Sequence, residues 1–174
     1  LLRAAHAALV LDASETAPRV AAGILARLAA MDAGAPADPD VQFVDLILAT
    51  GGELVPVGAH PGPSQIRNSN GPAALALLAE SGFPARDLGI APDAHGPLRA
   101  LLAEALAGSD VLITSGGVSM GRYDAVARLL VALGAEWIFH GVRQQPGKPL
   151  AFLRWQGRPV FGLPGNPVST FMTL

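Results

Sequence analysis

The chain has 174 residues, of which 51% are hydrophobic and 15% charged, and it contains no cysteine. A chain of this length and composition buries a core of its own, and the absence of cysteine excludes disulfides and thiolate metal sites. Its net charge of −2, with no basic cluster, argues against a nucleic-acid surface, and no apolar run reaches the roughly 18 residues of a membrane span.

The first 40 residues are rich in alanine and predict a helical lead-in followed by a linker. Apolar residues recur at helical spacing in APRVAAGILARLAAM, and the turn-forming segment GAPADPD then interrupts the pattern. We expect residues 41–174 to form an α/β domain that is truncated at its C-terminus, because a helical pattern is still running at Leu174.

Strands and helices alternate from Val41 onward. Short apolar runs predict strands, and apolar residues at intervals of three and four predict helices. The predicted strands are 43–50, 85–91, 110–114, 135–142, 150–155 and 158–163; the predicted helices are 71–81, 95–108, 123–134 and 166–174; residues 51–70 predict a long polar loop. This order is typical of a three-layer α/β/α domain with a mostly parallel sheet.

Several residues mark the ends of these elements. Asn70 and Asp93 each precede a predicted helix and are candidate N-caps. Gly134 is expected to end the helix that begins near Tyr123. A turn near Gln156 and Gly157 predicts a hairpin between the last two strands.

Polar, glycine-rich loops follow four of the predicted strands, where open α/β sheets bind their ligands. They are TGGE (50–53), PD (92–93), TSGGVSMGRYD (114–124) and LPGNPVS (163–169). Glycines allow backbone N–H groups to approach an anion closely. We therefore expect Ser115, Gly116, Gly117 and Ser119 to form an anion-binding nest.

Three acidic residues fall at this same edge: Glu53, Asp93 and Asp124. Individually they also suit a solvated loop, an N-cap and a helix dipole. Together, around an anion nest, they predict a site for a divalent cation. Lys148 is the only lysine among 12 basic residues and lies in the stiff segment PGKP, which favours a role as a point charge facing an anion.

The segments TSGGVSMGRYD, PGKPL and GLPGNPVS, in this order and spacing, resemble those of molybdopterin molybdotransferases, and the resemblance runs from about Leu46 to Leu174. It implies a molybdopterin-binding α/β domain of a cytoplasmic enzyme. The family inserts molybdate into the dithiolene of adenylylated molybdopterin in a Mg²⁺-dependent reaction that releases AMP. The implied partner of the domain is thus a molybdopterin nucleotide, with neither nucleic acid nor membrane involved.

The resemblance also assigns residues. It implies that Glu53, Asp93 and Asp124 bind Mg²⁺ and that they are catalytic together with Lys148. The implied substrate-binding residues are Thr50, Gly51, Ser69, Asn70, Ser115, Gly116, Gly117, Ser119, Pro164, Gly165, Asn166, Pro167 and Ser169.

The sequence departs from the family's pattern at Gly52, where an aspartate is usual, and at Gly141 and Gln145, where some members have lysine. The resemblance further implies a homodimer of the full-length protein, in which other domains complete the cleft, and a possible interaction with the adenylyltransferase of the same pathway. Two alternatives remain at this point: a molybdopterin adenylyltransferase on the same fold, or a non-catalytic scaffold or oligomerisation domain.

Overall fold

The computed structural model describes residues 44–48, 52–117 and 125–174. The strands are β1 (Val44–Leu48), β2 (Leu54–Val55), β3 (Ile66–Arg67), β4 (Ala85–Ile90), β5 (Val111–Ser115), β6 (Glu136–His140), β7 (Ala151–Trp155) and β8 (Arg158–Leu163). The helices are α1 (Asn70–Glu80), α2 (His95–Gly108), α3 (Ala125–Ala132) and α4 (Pro167–Thr173). The expected lead-in over 1–40 and the site candidates Thr50, Gly51, Ser119 and Asp124 lie outside the described residues.

Six of the strands form one sheet in the order β4-β1-β5-β8-β7-β6. The first four are mutually parallel, whereas β7 and β6 run antiparallel to their neighbours. This confirms the predicted mostly parallel sheet. Because β1, β5 and β8 are parallel neighbours, the loops that follow them emerge at one edge of the sheet.

Helices cover both faces of the sheet, and β5 shows how the sequence divides between them. Its neighbouring residues Leu112 and Ile113 point to opposite faces, as alternation along a strand requires, and both are fully buried. Leu112 joins a core that contains Leu98 and Leu130 from α2 and α3. Ile113 joins the second core, which includes Leu78 of α1. The predicted three-layer α/β/α architecture is therefore confirmed.

The N-terminus of α1 differs from the prediction that Asn70 caps it. Asn70 is the first helical residue, and Ser69 occupies the cap position without a side-chain bond to the helix. The side chain of Asn68, which is buried, instead accepts a hydrogen bond of 3.2 Å from the Gly71 N–H. The side-chain amide of Asn70 does not cap the helix because it donates to Ser115 at the end of β5 and to Gly165 in the loop before α4.

Asp93 is not a cap either. The cap residue of α2 is Ala94, which provides no side-chain bond, and the carbonyl of Ala94 accepts the Leu98 N–H at 3.0 Å. The carboxylate of Asp93 is therefore not bonded to the helix.

Gly134 does end α3 as predicted: it adopts a left-handed φ of 94° and donates to the Val131 carbonyl.

The hairpin between β7 and β8 turns at Gln156 and Gly157, whose φ values of 48° and 84° are those of the predicted tight turn. Its flanking residues cap two helices. The indole N–H of Trp155 donates to the Leu133 carbonyl at 2.9 Å, just beyond α3. Arg158 donates to the carbonyls of residues 106, 107 and 109 at 3.0–3.3 Å, at the C-terminal end of α2.

Both edge strands of the six-stranded sheet contain a bulge. Between the pairs Leu46–Asp87 and Leu48–Ile90, β4 has one residue more than β1. Between Trp137 and Phe139, β6 likewise has one residue more than β7. Each bulge increases the local twist and interrupts the regular ladder.

The segment predicted as a polar loop between β1 and α1 contains the short parallel pair β2–β3, in which Leu54 pairs with Ile66 and Val55 with Arg67. Two-residue strands are too short to produce a periodic pattern. None of the helices in the described ranges has the length and apolarity needed to cross a bilayer.

Replacing Arg158 by alanine should lower the free energy of unfolding by about 2 kcal/mol, because hydrogen bonds from a charged donor to the end of a helix are lost. The Tm should fall by roughly 4–8 °C for a domain of this size. Thermal unfolding followed by circular dichroism measures both.

The matched control is Arg154→Ala on the neighbouring strand. Arg154 forms an ion pair of 2.9 Å with Glu136, and the two side chains are 36% and 69% exposed. An exposed pair of this kind contributes less than about 1 kcal/mol. Equal losses of stability in the two variants would contradict the capping role of Arg158.

Candidate functional site

The carboxyl ends of β5 and β8 are joined by direct backbone contacts. The Gly116 N–H donates to the Leu163 carbonyl at 2.9 Å. A Cβ on Gly165 would lie 3.5 Å from the Cα of Gly116, so the two loops approach with only backbone between them. The described part of TSGGVS, up to Gly117, therefore meets LPGNP at one edge of the sheet, as the order of strands and helices predicts.

A cleft of about 270 Å³ opens at this edge, between the β2–β3 segment, the start of α1 and the two glycine loops. The sequence-predicted site residues that line it are Glu53, Ser69, Asn70, Ser115, Gly116, Gly117, Gly165 and Pro167. Residues far apart in the chain are thus brought into one concave site, which is the arrangement expected of a small-molecule pocket.

The amide group of Asn70 connects three of these segments. Its Nδ2 donates to the Ser115 hydroxyl oxygen at 2.8 Å and to the Gly165 carbonyl at 2.8 Å. The Asn70 Oδ1 atom is buried and has no partner among the described residues. Asn70 therefore joins the start of α1 to the end of β5 and to the loop before α4.

The structure revises how the predicted anion nest is built. Gly116 has a left-handed φ of 78°, but its N–H is already bound to Leu163 and does not face the cleft as a free donor. Gly117, with a φ of 63°, has no backbone hydrogen bond among the described residues. Among the described residues of this loop, the donors that remain are the Gly117 N–H and the hydroxyl of Ser115, which is 3% exposed.

Two of the three predicted acids lie on this side of the domain. Glu53 lines the cleft. A Cβ on Gly52 would lie 3.9 Å from Asp93 Oδ2, so the Asp93 carboxylate sits beside the turn that carries Glu53. No cluster of three metal-ligating side chains occurs within 52–117 and 125–174. Asp124 lies outside these ranges, so the predicted three-acid site stays a prediction.

The PGNP loop shapes the site mainly through its backbone. The Asn166 side chain accepts from the N–H groups of Val168 and Ser169 at 3.0 and 3.2 Å, and so caps α4. Pro167 is the first helical residue. The carbonyl of Pro164, a buried residue, accepts from the Thr170 hydroxyl. Pro164, Asn166 and Ser169 do not line the cleft; they position Gly165 and Pro167, which do.

Lys148 lies in the loop between β6 and β7, at the same edge of the sheet, but does not line the cleft. Its side chain is exposed. The loop packs on the C-terminal end of α4, since Gln144 Nε2 donates to the Met172 carbonyl at 2.9 Å. The cleft is at the other end of α4, which spans about 10 Å for its seven residues. Gly141, one of the departures from the family pattern, has a φ of 86° and is well suited to this loop.

Arg67 is a cleft residue that the sequence analysis did not identify. Its Nε donates to the Ala59 carbonyl at 3.1 Å, which orients the guanidinium group at the mouth of the cleft. Its position in IRNSN, three residues before the first residue of α1, is the signal that could have identified it. Asn68, Leu54 and Ile66 complete this wall.

The model of one protein family, described as "Probable molybdopterin binding domain", matches residues 46–174. The match takes in most of the chain, and the chain therefore belongs to this family of molybdopterin-binding domains. Curated relatives include a molybdopterin molybdenumtransferase from Nostoc sp., 38% identical over 130 residues, and one from Haemophilus influenzae, 37% identical over 127 residues. These matches confirm the resemblance drawn from TSGGVSMGRYD, PGKPL and GLPGNPVS.

The solved structure of a molybdopterin biosynthesis MoeA protein from Pyrococcus horikoshii is also similar, with a TM-score of 0.64 and 38% identity over 75% of this chain. The chain covers 32% of that protein. It likewise spans 30% and 31% of the Nostoc and Haemophilus relatives. The similarity thus concerns one domain of much longer proteins.

Replacing Gly147 by alanine should destabilise the domain by about 1–3 kcal/mol, because a left-handed residue with a side chain is strained. Gly147 has a φ of 121°, and a Cβ there would lie 2.6 Å from Thr173 Cγ2. Chemical denaturation measures the loss. Gly58→Ala is the matched control, since a Cβ at Gly58 meets nothing within 4 Å. If the two variants were equally stable, the packing of this loop on α4 would be disproved.

Proposed function

We propose that the cleft binds adenylylated molybdopterin and that the full-length protein inserts molybdate into its dithiolene with release of AMP. The observation that carries this proposal is the meeting of the loops after β5 and β8 with the start of α1 around one cleft. The family match over residues 46–174 and the names of the curated relatives support the choice of ligand.

The cleft offers several hydrogen-bond donors for the phosphates of such a nucleotide. They are the Ser115 hydroxyl, the Gly117 N–H and the guanidinium group of Arg67. The N-terminus of α1, which begins at Asn70, adds a positive dipole. Among the described residues that line the cleft, Arg67 is the one with a positively charged side chain, and its guanidinium group can donate charge-assisted hydrogen bonds to phosphate.

The donor set also suits Mg²⁺. This ion usually binds through one or two carboxylates together with substrate phosphates and water. Glu53 and Asp93 would supply the carboxylates, and both are described at or beside the cleft; Asp124 would be the third. When bound, the ion would neutralise charge on the phosphoanhydride as it is cleaved. Glu53 and Asp93 would hold the Mg²⁺ ion next to the phosphates, which Ser115 and Gly117 would orient.

The chain spans about a third of the length of its relatives. On this proposal it therefore supplies one wall of the complete active site. We propose that other domains, including those of a second subunit in a homodimer, complete the cleft. We also propose that the protein is cytoplasmic and that it receives its substrate from the adenylyltransferase of the pathway. Lys148, exposed at the same sheet edge, is proposed to contact a phosphate of the bound nucleotide from the far end of α4.

Replacing Lys148 by alanine should lower the affinity for adenylylated molybdopterin by about tenfold, because an ionic hydrogen bond to phosphate is lost. The Tm should stay nearly unchanged, since the side chain is exposed. Lys148→Arg should recover some of the affinity because it keeps the positive charge. The recovery should be incomplete because the guanidinium group is larger and differently hydrated. Titration calorimetry measures all three proteins.

Arg143 provides the matched control, because it is another exposed cation of the same loop. Arg143→Ala should change the affinity by less than twofold. If Lys148→Ala bound as tightly as the parent chain, or if the two alanine variants lost affinity equally, the specific role of Lys148 would be refuted.

Replacing Asp93 by asparagine should reduce the enhancement of nucleotide binding by Mg²⁺ and leave the Tm unchanged, because Asp93 is exposed and caps no helix. The measurement is nucleotide affinity with and without Mg²⁺. Glu104→Gln, an exposed acid on α2, is the control and should leave the Mg²⁺ effect intact. An undiminished Mg²⁺ effect in Asp93→Asn would remove Asp93 from the proposed metal site.

A further inference from the structure

The orientation of the Asn70 amide is determined by its partner on the loop before α4. A backbone carbonyl can only accept a hydrogen bond, so the atom that lies 2.8 Å from the Gly165 oxygen must be the amide nitrogen. The same nitrogen lies 2.8 Å from the Ser115 hydroxyl oxygen. Both hydrogens of the amide are thus used, one for each partner.

This orientation restricts the directions open to the Ser115 O–H group. Its oxygen accepts from Asn70, so its own proton must point elsewhere. The side chain is buried at the wall of the cleft, and no described residue accepts that proton. The Ser115 hydroxyl is thus left to donate to a ligand in the cleft, and having fewer directions open to its proton lowers the ordering cost of binding a phosphate oxygen.

Asn70 itself is poorly suited to bind a phosphate directly. Its two donors are spent on Ser115 and Gly165, and the remaining atom, Oδ1, is an acceptor that a phosphate oxygen would repel. Oδ1 is also buried without a partner among the described residues, which costs free energy. The two donated hydrogen bonds therefore hold the amide against an unfavourable environment for its oxygen.

We propose that Asn70 is a positioning residue, whose amide holds the Ser115 hydroxyl as a donor to a phosphate of the bound nucleotide and keeps the Gly165 loop in place. This inference rests on the proposed function, since it assumes that the cleft binds a phosphate. It differs from the direct contact that the family resemblance implied for Asn70, because Asn70 acts through Ser115.

The test is a double-mutant cycle between Asn70→Ala and Ser115→Ala, with AMP and adenosine as probes and calorimetry as the measurement. Asn70→Ala should weaken AMP binding about tenfold when Ser115 is present, the usual effect of losing a hydrogen bond to a charged group. In the Ser115→Ala background the same change should weaken AMP binding less than twofold. Adenosine, which has no phosphate, should bind all four proteins alike.

Asn70→Asp is the second variant, in case Asn70→Ala does not fold. The new carboxylate can only accept, so the Ser115 hydroxyl should donate to it and no longer to the phosphate. The preference for AMP over adenosine should then be lost. Ser69→Asp, also at the cleft, controls for added negative charge and should lower AMP affinity less. Asn70→Gln, which keeps the amide, should recover part of the preference.

Three results would overturn the inference: equal losses of AMP affinity in both Ser115 backgrounds, equal losses for AMP and adenosine, or a Ser69→Asp effect as large as that of Asn70→Asp. A parent chain that binds AMP no better than adenosine would refute the proposed phosphate site as well. The failure of the positioning role and the failure of the proposed function are thus distinguishable.

Discussion

The site depends on the register of three parallel strands. Ser115 pairs with Leu48 on one side and with Leu163 on the other, so β1, β5 and β8 end at the same level. A register shift of two residues on any of them would raise or lower its loop by about 7 Å relative to its neighbours. The Gly116–Leu163 hydrogen bond and the contact between Gly116 and Gly165 both require this common level.

The periodic part of the sequence predicts most of the fold. The helix expected over 95–108 has those bounds in the structure, and the strand 158–163 is likewise as expected. The predicted cap of α1 was wrong because Asn68 and Asn70 can each bond to an N–H group of the same helix, and the local sequence does not distinguish them. The choice is made by tertiary contacts: Asn70 faces Ser115 and Gly165, which leaves Asn68 to bind the helix N–H.

The candidate site was predictable in outline but not in its hydrogen bonds. Topology places the glycine loops at one edge, and this needs only the order of strands and helices. It does not reveal that the Gly116 N–H is consumed by Leu163, because that bond joins residues 47 positions apart. Arg67 was not predicted for a related reason: its place three residues before α1 is a weak local signal, and the pairing of β2 with β3 positions the segment that lines the cleft.

The bulges in β4 and β6 affect how the domain meets other protein surfaces. An exposed, regular edge strand offers a row of free N–H and C=O groups on which another chain can add a strand, and this is a common route to aggregation. Here both outer strands of the described sheet are interrupted, and the bulge of β4 includes Gly89 with a φ of 83°, its N–H turned to the Asp87 side chain. The extra residues therefore disfavour the addition of a further strand at either outer edge of the six-stranded sheet that the described residues form.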